Sequence, residues 1–107
     1  MRLAEQHCIP CSGTVLPLRK EKIHQLLGEL RHEWKVINSH HVEKEFMFSN
    51  FKEAMAFVVK VGKLAEKEGH HPDILLSFRM VTLTIWTHKI NGLTESDFIL
   101  AAKIEKL

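Results

Sequence analysis

Apolar residues recur at the spacing of a helical face in three stretches of the chain. In the first, residues 18–30, they follow steps of three and four: Ile23, Leu26, Leu27 and Leu30. The second begins near Asn50 and ends at Gly69, a typical helix stop. Its predicted buried face comprises Phe51, Ala54, Met55, Val58, Val61, Gly62 and Ala65. The third runs from Thr94 to near the C-terminus.

Capping patterns support the starts of the second and third helices. Asn50 is followed three residues later by Glu53, and Thr94 is followed at the same spacing by Asp97. In such a capping box, each side chain accepts a hydrogen bond from a backbone N–H that the first helical turn leaves free. The two patterns therefore predict where these helices begin.

Four shorter stretches are predicted to be β-strands from their alternation or their content of strand-favouring residues. They are residues 34–38, 42–48, 73–78 and 80–87, and residues 38–41 form the hairpin connection of the first pair. In the last strand, Val81, Leu83 and Ile85 face one side, opposite Thr82, Thr84 and Trp86. The order α-β-β-α-β-β-α predicts an α+β fold, with three helices packed on one face of a four-stranded antiparallel sheet.

Composition and charge narrow the class of protein. A chain of 107 residues is expected to form a single domain over residues 1–107, in which residues 1–17 are irregular. A net charge of +2 argues against nucleic acid as a partner, and the lack of a long apolar run argues against a membrane span. The N-terminus resembles no secretory signal, so we expect a cytoplasmic protein. The unusual feature is the presence of 8 histidines.

Two adjacent histidines, His70 and His71, follow the predicted end of the second helix. Pro72 pushes the residue before it towards an extended conformation, which keeps both side chains near one place. Imidazole is the side chain best matched to proton transfer near neutral pH, so the pair is a candidate catalytic centre. The alternative is a solvated helix end, where a charged histidine interacts favourably with the helix dipole.

His88 and Asp97 are the next candidates. His88 ends the last predicted strand on the face of Trp86, where a functional side chain is common, and the alternative is a histidine exposed to water. Asp97 is explained by helix capping alone unless it lies beside His88, where it could orient the imidazole. Trp34 is by default a core residue and otherwise an aromatic wall of a ligand site.

The remaining cysteines and histidines receive no function from their pattern. Cys8 and Cys11 form a C-x-x-C pair, but no second pair supplies four zinc ligands, so they are interpreted as uninvolved thiols. His40 and His41 are interpreted as solvated residues of the hairpin. A metal held by the three candidate histidines is the less favoured alternative, because the side chains of adjacent residues diverge.

Three segments in combination resemble the pterin-4a-carbinolamine dehydratase family (4a-hydroxytetrahydrobiopterin dehydratase). They are residues 66–74 (Glu-Lys-Glu-Gly-His-His-Pro-Asp-Ile), 82–88 (Thr-Leu-Thr-Ile-Trp-Thr-His) and 92–98 (Gly-Leu-Thr-Glu-Ser-Asp-Phe). The likeness covers essentially the whole chain, and its start looks like that of bacterial members. The family fold also has the order α-β-β-α-β-β-α.

The resemblance implies a dehydratase that converts a pterin 4a-carbinolamine to quinonoid dihydropterin and water, without cofactor or metal. The family's active-site histidines correspond to His70, His71 and His88. The resemblance implies further site residues, which are contacts to the pterin at Pro72, Thr87, Lys89 and Ile90, acidic residues at Glu66 and Asp97, and an aromatic edge at Trp34.

The resemblance also implies partners. The usual context is the recycling of the pterin used by an aromatic amino acid hydroxylase, and family members are homodimers or homotetramers. Some family members act instead as non-catalytic dimerisation or assembly cofactors. A protein that has drifted to such a role should lose active-site histidines, and this chain keeps all three, which favours the enzyme.

Overall fold

The predicted order of helices and strands is confirmed in the computed structural model, which describes residues 3–6, 8, 16–31 and 33–107. The elements are α1 (Lys20–Leu27), β1 (Lys35–Ile37), β2 (His41–Met47), α2 (Phe51–Glu68), β3 (Asp73–Ser77), β4 (Met80–Ile85) and α3 (Glu95–Ile104). Two short 3₁₀ helices, Leu3–Glu5 and His88–Ile90, were not predicted. None of the helices in the described ranges has the length and apolar character that a membrane crossing requires.

The four strands form one antiparallel sheet in the order β1-β2-β4-β3. β2 and β4 therefore pair at the centre although α2 and β3 separate them in the chain. In this register Val42 lies opposite Ile85, and Asp73 lies opposite Thr84. The connection that follows β4 consequently lies beside the β1–β2 hairpin, because Val42 at the start of β2 pairs with Ile85 at the end of β4.

The hydrophobic core lies between one face of the sheet and the helices. Val81, Leu83 and Ile85 are fully buried, as the alternation of β4 predicts. All residues of α3 are buried except Glu95 and Lys103. Burying an apolar side chain stabilises the fold by about 1.5–3 kcal/mol, so α3 is a central element of the core.

The buried face of α2 matches the predicted one in part, since Ala54, Val61 and Ala65 are buried. Phe51 and Met55 are 47% and 45% exposed, whereas Phe57 is buried and packs its ring against Phe46 and Phe48 at centroid distances of 4.8 and 5.1 Å. The helix carries apolar residues on more than one face, so periodicity alone could not choose the side that packs.

Two elements are shorter than predicted, α1 at its start and β4 at its end. α1 begins at Lys20 because the backbone N–H of Leu18 donates to the carbonyl of Leu93 at 2.8 Å, outside any helix. β4 ends at Ile85 because Thr87 pairs with Gly92 instead of continuing the ladder, and the pairing closes a tight loop. This loop contains the 3₁₀ helix His88–Ile90 and places His88 in a turn instead of at a strand end.

Candidate active site

A cleft of about 190 Å³ lies where the α2–β3 connection meets the loop after β4. Its lining consists of His70, His71, Trp86, Thr87, His88 and Lys89. The structure thus brings together the three histidines that the sequence singled out from two distant segments. Pro72 and Ile90 are neighbours of lining residues in the chain and do not line the cleft themselves.

The end of α2 directs the first two histidines into this cleft. Gly69 has a left-handed conformation with φ of 64°, which glycine adopts without steric cost. The N–H groups of Gly69 and His70 donate to the carbonyls of Glu66 and Ala65 at 3.3 and 3.2 Å. This closure satisfies carbonyls of the last turn and ends the helix sharply, so His70 and His71 leave it as a rigid pair.

Asp97 binds His70 and caps α3 at the same time. Nε2 of His70 lies 2.6 Å from Oδ1 of Asp97, whose side chain is fully buried. The other oxygen, Oδ2, accepts from the hydroxyl of Thr87 and the backbone N–H of Thr94, both at 2.8 Å. Because a carboxylate only accepts hydrogen bonds, Nε2 of His70 is the donor, and a neutral His70 leaves Nδ1 free to take a proton.

His71 has a partner of a different kind. Its Nε2 lies 2.7 Å from Oε1 of Glu66, on the last turn of α2. Their side chains are 61% and 80% exposed, so water screens this pair strongly. The two adjacent histidines therefore occupy contrasting environments, since His70 is held by a buried carboxylate and His71 remains in contact with solvent.

His88 opens the 3₁₀ helix after β4 and contacts an aromatic ring. The centroids of the His88 and Trp86 rings are 4.0 Å apart, with an interplanar angle of 46°. Nε1 of Trp86 donates to Oδ2 of Asp73 at 3.4 Å. Thr87 is buried and its hydroxyl donates to Asp97, whereas Lys89 is exposed at the rim.

Trp34 lies outside the lining of the cleft. It is 5% exposed, its indole Nε1 donates to Oε2 of Glu105 at 3.0 Å, and its ring meets that of Phe46 edge to face at 6.0 Å. In this chain Trp34 has the contacts of a core residue, the first of its two interpretations from the sequence.

His40 and His41, which the sequence interpreted as solvated residues of the hairpin, are half-buried, and His40 lies beside Trp86. The His40 ring is 4.3 Å from the Trp86 ring, and Nδ1 of His40 is 3.0 Å from Nδ1 of His41. Sequence reasoning missed this contact because it depends on the pairing of β2 with β4.

Cys8 is packed against α2 and α3, and Cys11 lies outside the described residues. The Cys8 backbone N–H donates to Oε1 of Glu68 at 3.1 Å, and its thiol donates to the carbonyl of Ser96 at 3.5 Å. Burial raises the pKa of this thiol from 9.0 to about 12, and the negative charge of Glu68 adds to the shift. A thiol so rarely deprotonated is a poor nucleophile and a poor metal ligand. In the described part of the chain, no three histidine, cysteine or acidic side chains are arranged to hold a metal ion.

Comparison with known proteins identifies the family of the chain. A family model described as Pterin 4 alpha carbinolamine dehydratase matches residues 16–107. Two curated relatives carry the name "Putative pterin-4-alpha-carbinolamine dehydratase". The relative from Alkaliphilus metalliredigens is 57% identical over 97% of this chain and 94% of its own length. The relative from Rubrobacter xylanophilus is 49% identical over 98% of this chain and 97% of its own length.

Two solved structures share the fold. A transcriptional coactivator/pterin dehydratase from Brucella melitensis superposes with a TM-score of 0.78 at 28% identity, covering 84% of this chain and 96% of its own. A pterin dehydratase-like protein described as a RuBisCO assembly factor in the alpha-carboxysome gives 0.61 at 23% identity, over 70% and 88%, and shows the fold alone. The near-complete family match and these relatives establish that the chain belongs to the pterin 4 alpha carbinolamine dehydratase family.

Proposed function

We propose that the protein converts 4a-hydroxytetrahydropterin to quinonoid dihydropterin and water by histidine acid/base catalysis. The observation that carries the proposal is the cleft itself, in which His70, paired with buried Asp97, lies with His71 and His88. Membership of the family supplies the substrate class. The three histidines supply imidazole groups, the type of side chain best matched to acid/base catalysis.

The reaction needs one proton donor and one proton acceptor. The bond between C4a and the hydroxyl oxygen breaks, and the hydroxyl takes up a proton and leaves as water. N5 loses its proton, and its electron pair forms the C4a–N5 double bond. No electrons are exchanged with another molecule, so the proton transfers are the steps that side chains can accelerate.

His70 is suited to accept the proton from N5. Asp97 holds Nε2–H of His70 in place, which leaves Nδ1 available as the base. The buried carboxylate also stabilises the imidazolium that forms when Nδ1 takes up the proton, as in other Asp–His pairs. His70 is therefore assigned the role of the base.

His71 and His88 are suited to deliver a proton to the leaving hydroxyl. Both are exposed, so they can exchange protons with solvent between turnovers. Glu66 orients His71 through its contact at 2.7 Å. Lys89 at the rim, with Pro72 and Ile90 beside the lining, completes the proposed contacts to the pterin.

Stopped-flow measurement of carbinolamine decay tests this proposal directly, because the uncatalysed decay provides a baseline. We expect the protein to accelerate the decay, and we expect His70→Ala, His71→Ala and His88→Ala each to lower kcat by about tenfold or more. His24→Ala is the matched control, since His24 is an exposed histidine of α1. Unchanged turnover in both His71→Ala and His88→Ala would refute the proposed mechanism.

The proposed pathway context is the recycling of a pterin used by an aromatic amino acid hydroxylase. The alternative function is a non-catalytic dimerisation or assembly cofactor, and it is supported by one protein of the same fold that is described as a RuBisCO assembly factor. Retention of all three histidines favours the enzyme. A folded protein that leaves carbinolamine decay at its uncatalysed rate would favour the alternative.

A further inference from the structure

The β1–β2 hairpin brings two further histidines to the edge of the active site. Its turn residues Asn38 and Ser39 have φ of 52° and 55°, and the N–H of His40 donates to the carbonyl of Ile37 at 2.9 Å. Positive φ at both central positions is the requirement of a type I′ turn, the tightest connection of two strands. The turn thus fixes the place where His40 leaves the hairpin.

His40 is bonded to the loop that carries His88. Its Nε2 lies 2.9 Å from Oδ1 of Asn91, the residue that ends the 3₁₀ helix His88–Ile90. Since the amide oxygen accepts, Nε2 of His40 carries the hydrogen. Its Nδ1 is then left to accept from Nδ1–H of His41 at 3.0 Å, so one tautomer of His40 satisfies both contacts.

His40 and His88 also share a contact on Trp86. The indole ring lies 4.3 Å from the His40 ring and 4.0 Å from the His88 ring, measured between centroids. The loop of His88 is therefore held on one side by the Thr87–Gly92 pairing and on the other by His40, through Asn91 and Trp86. His40 itself does not belong to the lining of the cleft.

We propose that His40 is a positioning residue that holds the loop of His88 in its catalytic orientation. The proposal rests on the proposed function, because it assigns the loop a chemical task. His40 does not line the cleft and contacts Asn91 and Trp86, so it acts through the placement of His88. A rigid loop lowers the cost of bringing an imidazole to the reacting atoms, which affects the chemical step more than substrate binding.

The test compares His40→Ala, Asn91→Gly and the control His24→Ala. Glycine suits position 91, where φ is 52°, so that variant removes the amide without straining the backbone. We expect His40→Ala to lower kcat about three- to tenfold with KM changed by less than about twofold. We expect Asn91→Gly to lower kcat in the same direction, and the double variant to lose less than the product of the two effects.

Two further measurements separate positioning from general damage. His40→Gln should recover part of the lost kcat, because its side-chain amide can still donate to Asn91. The NMR resonances of the His88 ring should shift in His40→Ala and in Asn91→Gly, and stay in place in His24→Ala. If His40→Ala does not fold, as thermal unfolding would reveal, Asn91→Gly tests the same contact.

The outcomes distinguish this proposal from the proposed function. Wild-type kcat together with unshifted His88 resonances in His40→Ala or Asn91→Gly would overturn the positioning role. Absence of dehydratase activity in the unmodified protein would instead overturn the proposed function, and the NMR shifts would still report whether His40 holds the His88 loop. Multiplicative losses in the double variant would also contradict the proposal, because they would show that His40 acts independently of Asn91.

Discussion

At the scale of single residues, Asp97 links the stability of the fold to the chemistry of the cleft. Its two oxygens satisfy the start of α3, the Thr87 hydroxyl and the His70 ring. The sequence predicted the capping contact from the spacing of Thr94 and Asp97, and the structure adds the imidazole. One buried carboxylate therefore determines both where α3 begins and which nitrogen of His70 is protonated.

Replacing Asp97 should separate its two tasks. Asp97→Asn keeps an oxygen that can accept from the Thr94 N–H but loses the charge that stabilises a protonated His70. We expect kcat for carbinolamine dehydration to fall at least about tenfold in Asp97→Asn. We expect its free energy of unfolding to decrease by less than that of Asp97→Ala. Asp97→Ala should lose about 1–3 kcal/mol, because it leaves buried donors without a partner.

Stopped-flow kinetics and chemical denaturation measure the two effects. A wild-type kcat in Asp97→Asn would show that the carboxylate serves the fold alone, as the capping interpretation of the sequence allows.

Cys8 predicts how the stability of the protein depends on alkaline pH. Its pKa is about 12 in the folded protein and 9.0 when unperturbed, because burial and Glu68 disfavour the thiolate. Between these values the unfolded chain releases the thiol proton and the folded chain keeps it. The contribution of Cys8 is thus complete below pH 9 and is lost progressively as the pH rises through this interval.

Denaturation at a series of pH values, with Cys8→Ala as the control, measures this contribution. We expect the free energy of unfolding of the unmodified protein to fall more steeply above pH 9 than that of the variant. Equal slopes for the two proteins would show that the thiol is not perturbed.

At the scale of elements, the loop between β4 and α3 supplies most of the residues that line the cleft. Thr87 and Gly92 exchange backbone hydrogen bonds at 2.9 and 3.4 Å, and the residues between them form one turn of 3₁₀ helix. A Cβ at position 92 would lie 2.9 Å from Cβ of Pro17, closer than two such atoms approach. Gly92 therefore lets the segment before α1 pack against this loop.

Alanine at Gly92 should destabilise the protein by about 1–3 kcal/mol, because Pro17 or the loop must shift. The matched control is Gly62→Ala in the interior of α2, where an added Cβ meets no atom within 4 Å. The free energy of unfolding of this control should rise by up to about 1 kcal/mol, because alanine has a higher helix propensity than glycine. Thermal unfolding of both variants checks the pair, and a stable Gly92→Ala would show that the approach of Pro17 is dispensable.

At the scale of the whole molecule, two exposed features fit the self-association that the family resemblance implies. β3 is an edge strand, and Leu75 at its centre and Phe78 just after it are 60% and 69% exposed. On α2, the apolar residues Phe51, Met55 and Val59 lie exposed at four-residue steps. An open strand edge offers unpaired backbone groups, and an apolar helix stripe offers a surface to bury.

We expect a homodimer or homotetramer when the mass is measured by size exclusion with light scattering. Leu75→Glu should shift the distribution to smaller species, because it places a charge beside the β3 edge. Lys20→Glu on α1 is the control and should leave the mass unchanged. A monomer at the concentration of the kinetic assay would contradict self-association.

The order of elements was predictable from the sequence, and so was each cleft histidine as a separate candidate, because both depend on local patterns. The grouping of the three histidines in one site was implied only by the family resemblance. Periodicity reports which residues share one face of a helix or strand, and the glycine and proline around His70 and His71 mark a break. Alternation in β4 correctly placed Val81 and Leu83 in the core. These features need only neighbouring residues to be interpreted.

Only the tertiary structure decided which distant residues meet. The pairing of β2 with β4 brings His40 to Trp86, and the packing of α3 brings Asp97 to His70. The choice of Phe57 as the buried residue of α2 depends likewise on the sheet beneath it. Local periodicity carries no information about strand order or helix rotation, because both are set by how complete elements bury their apolar surface against one another.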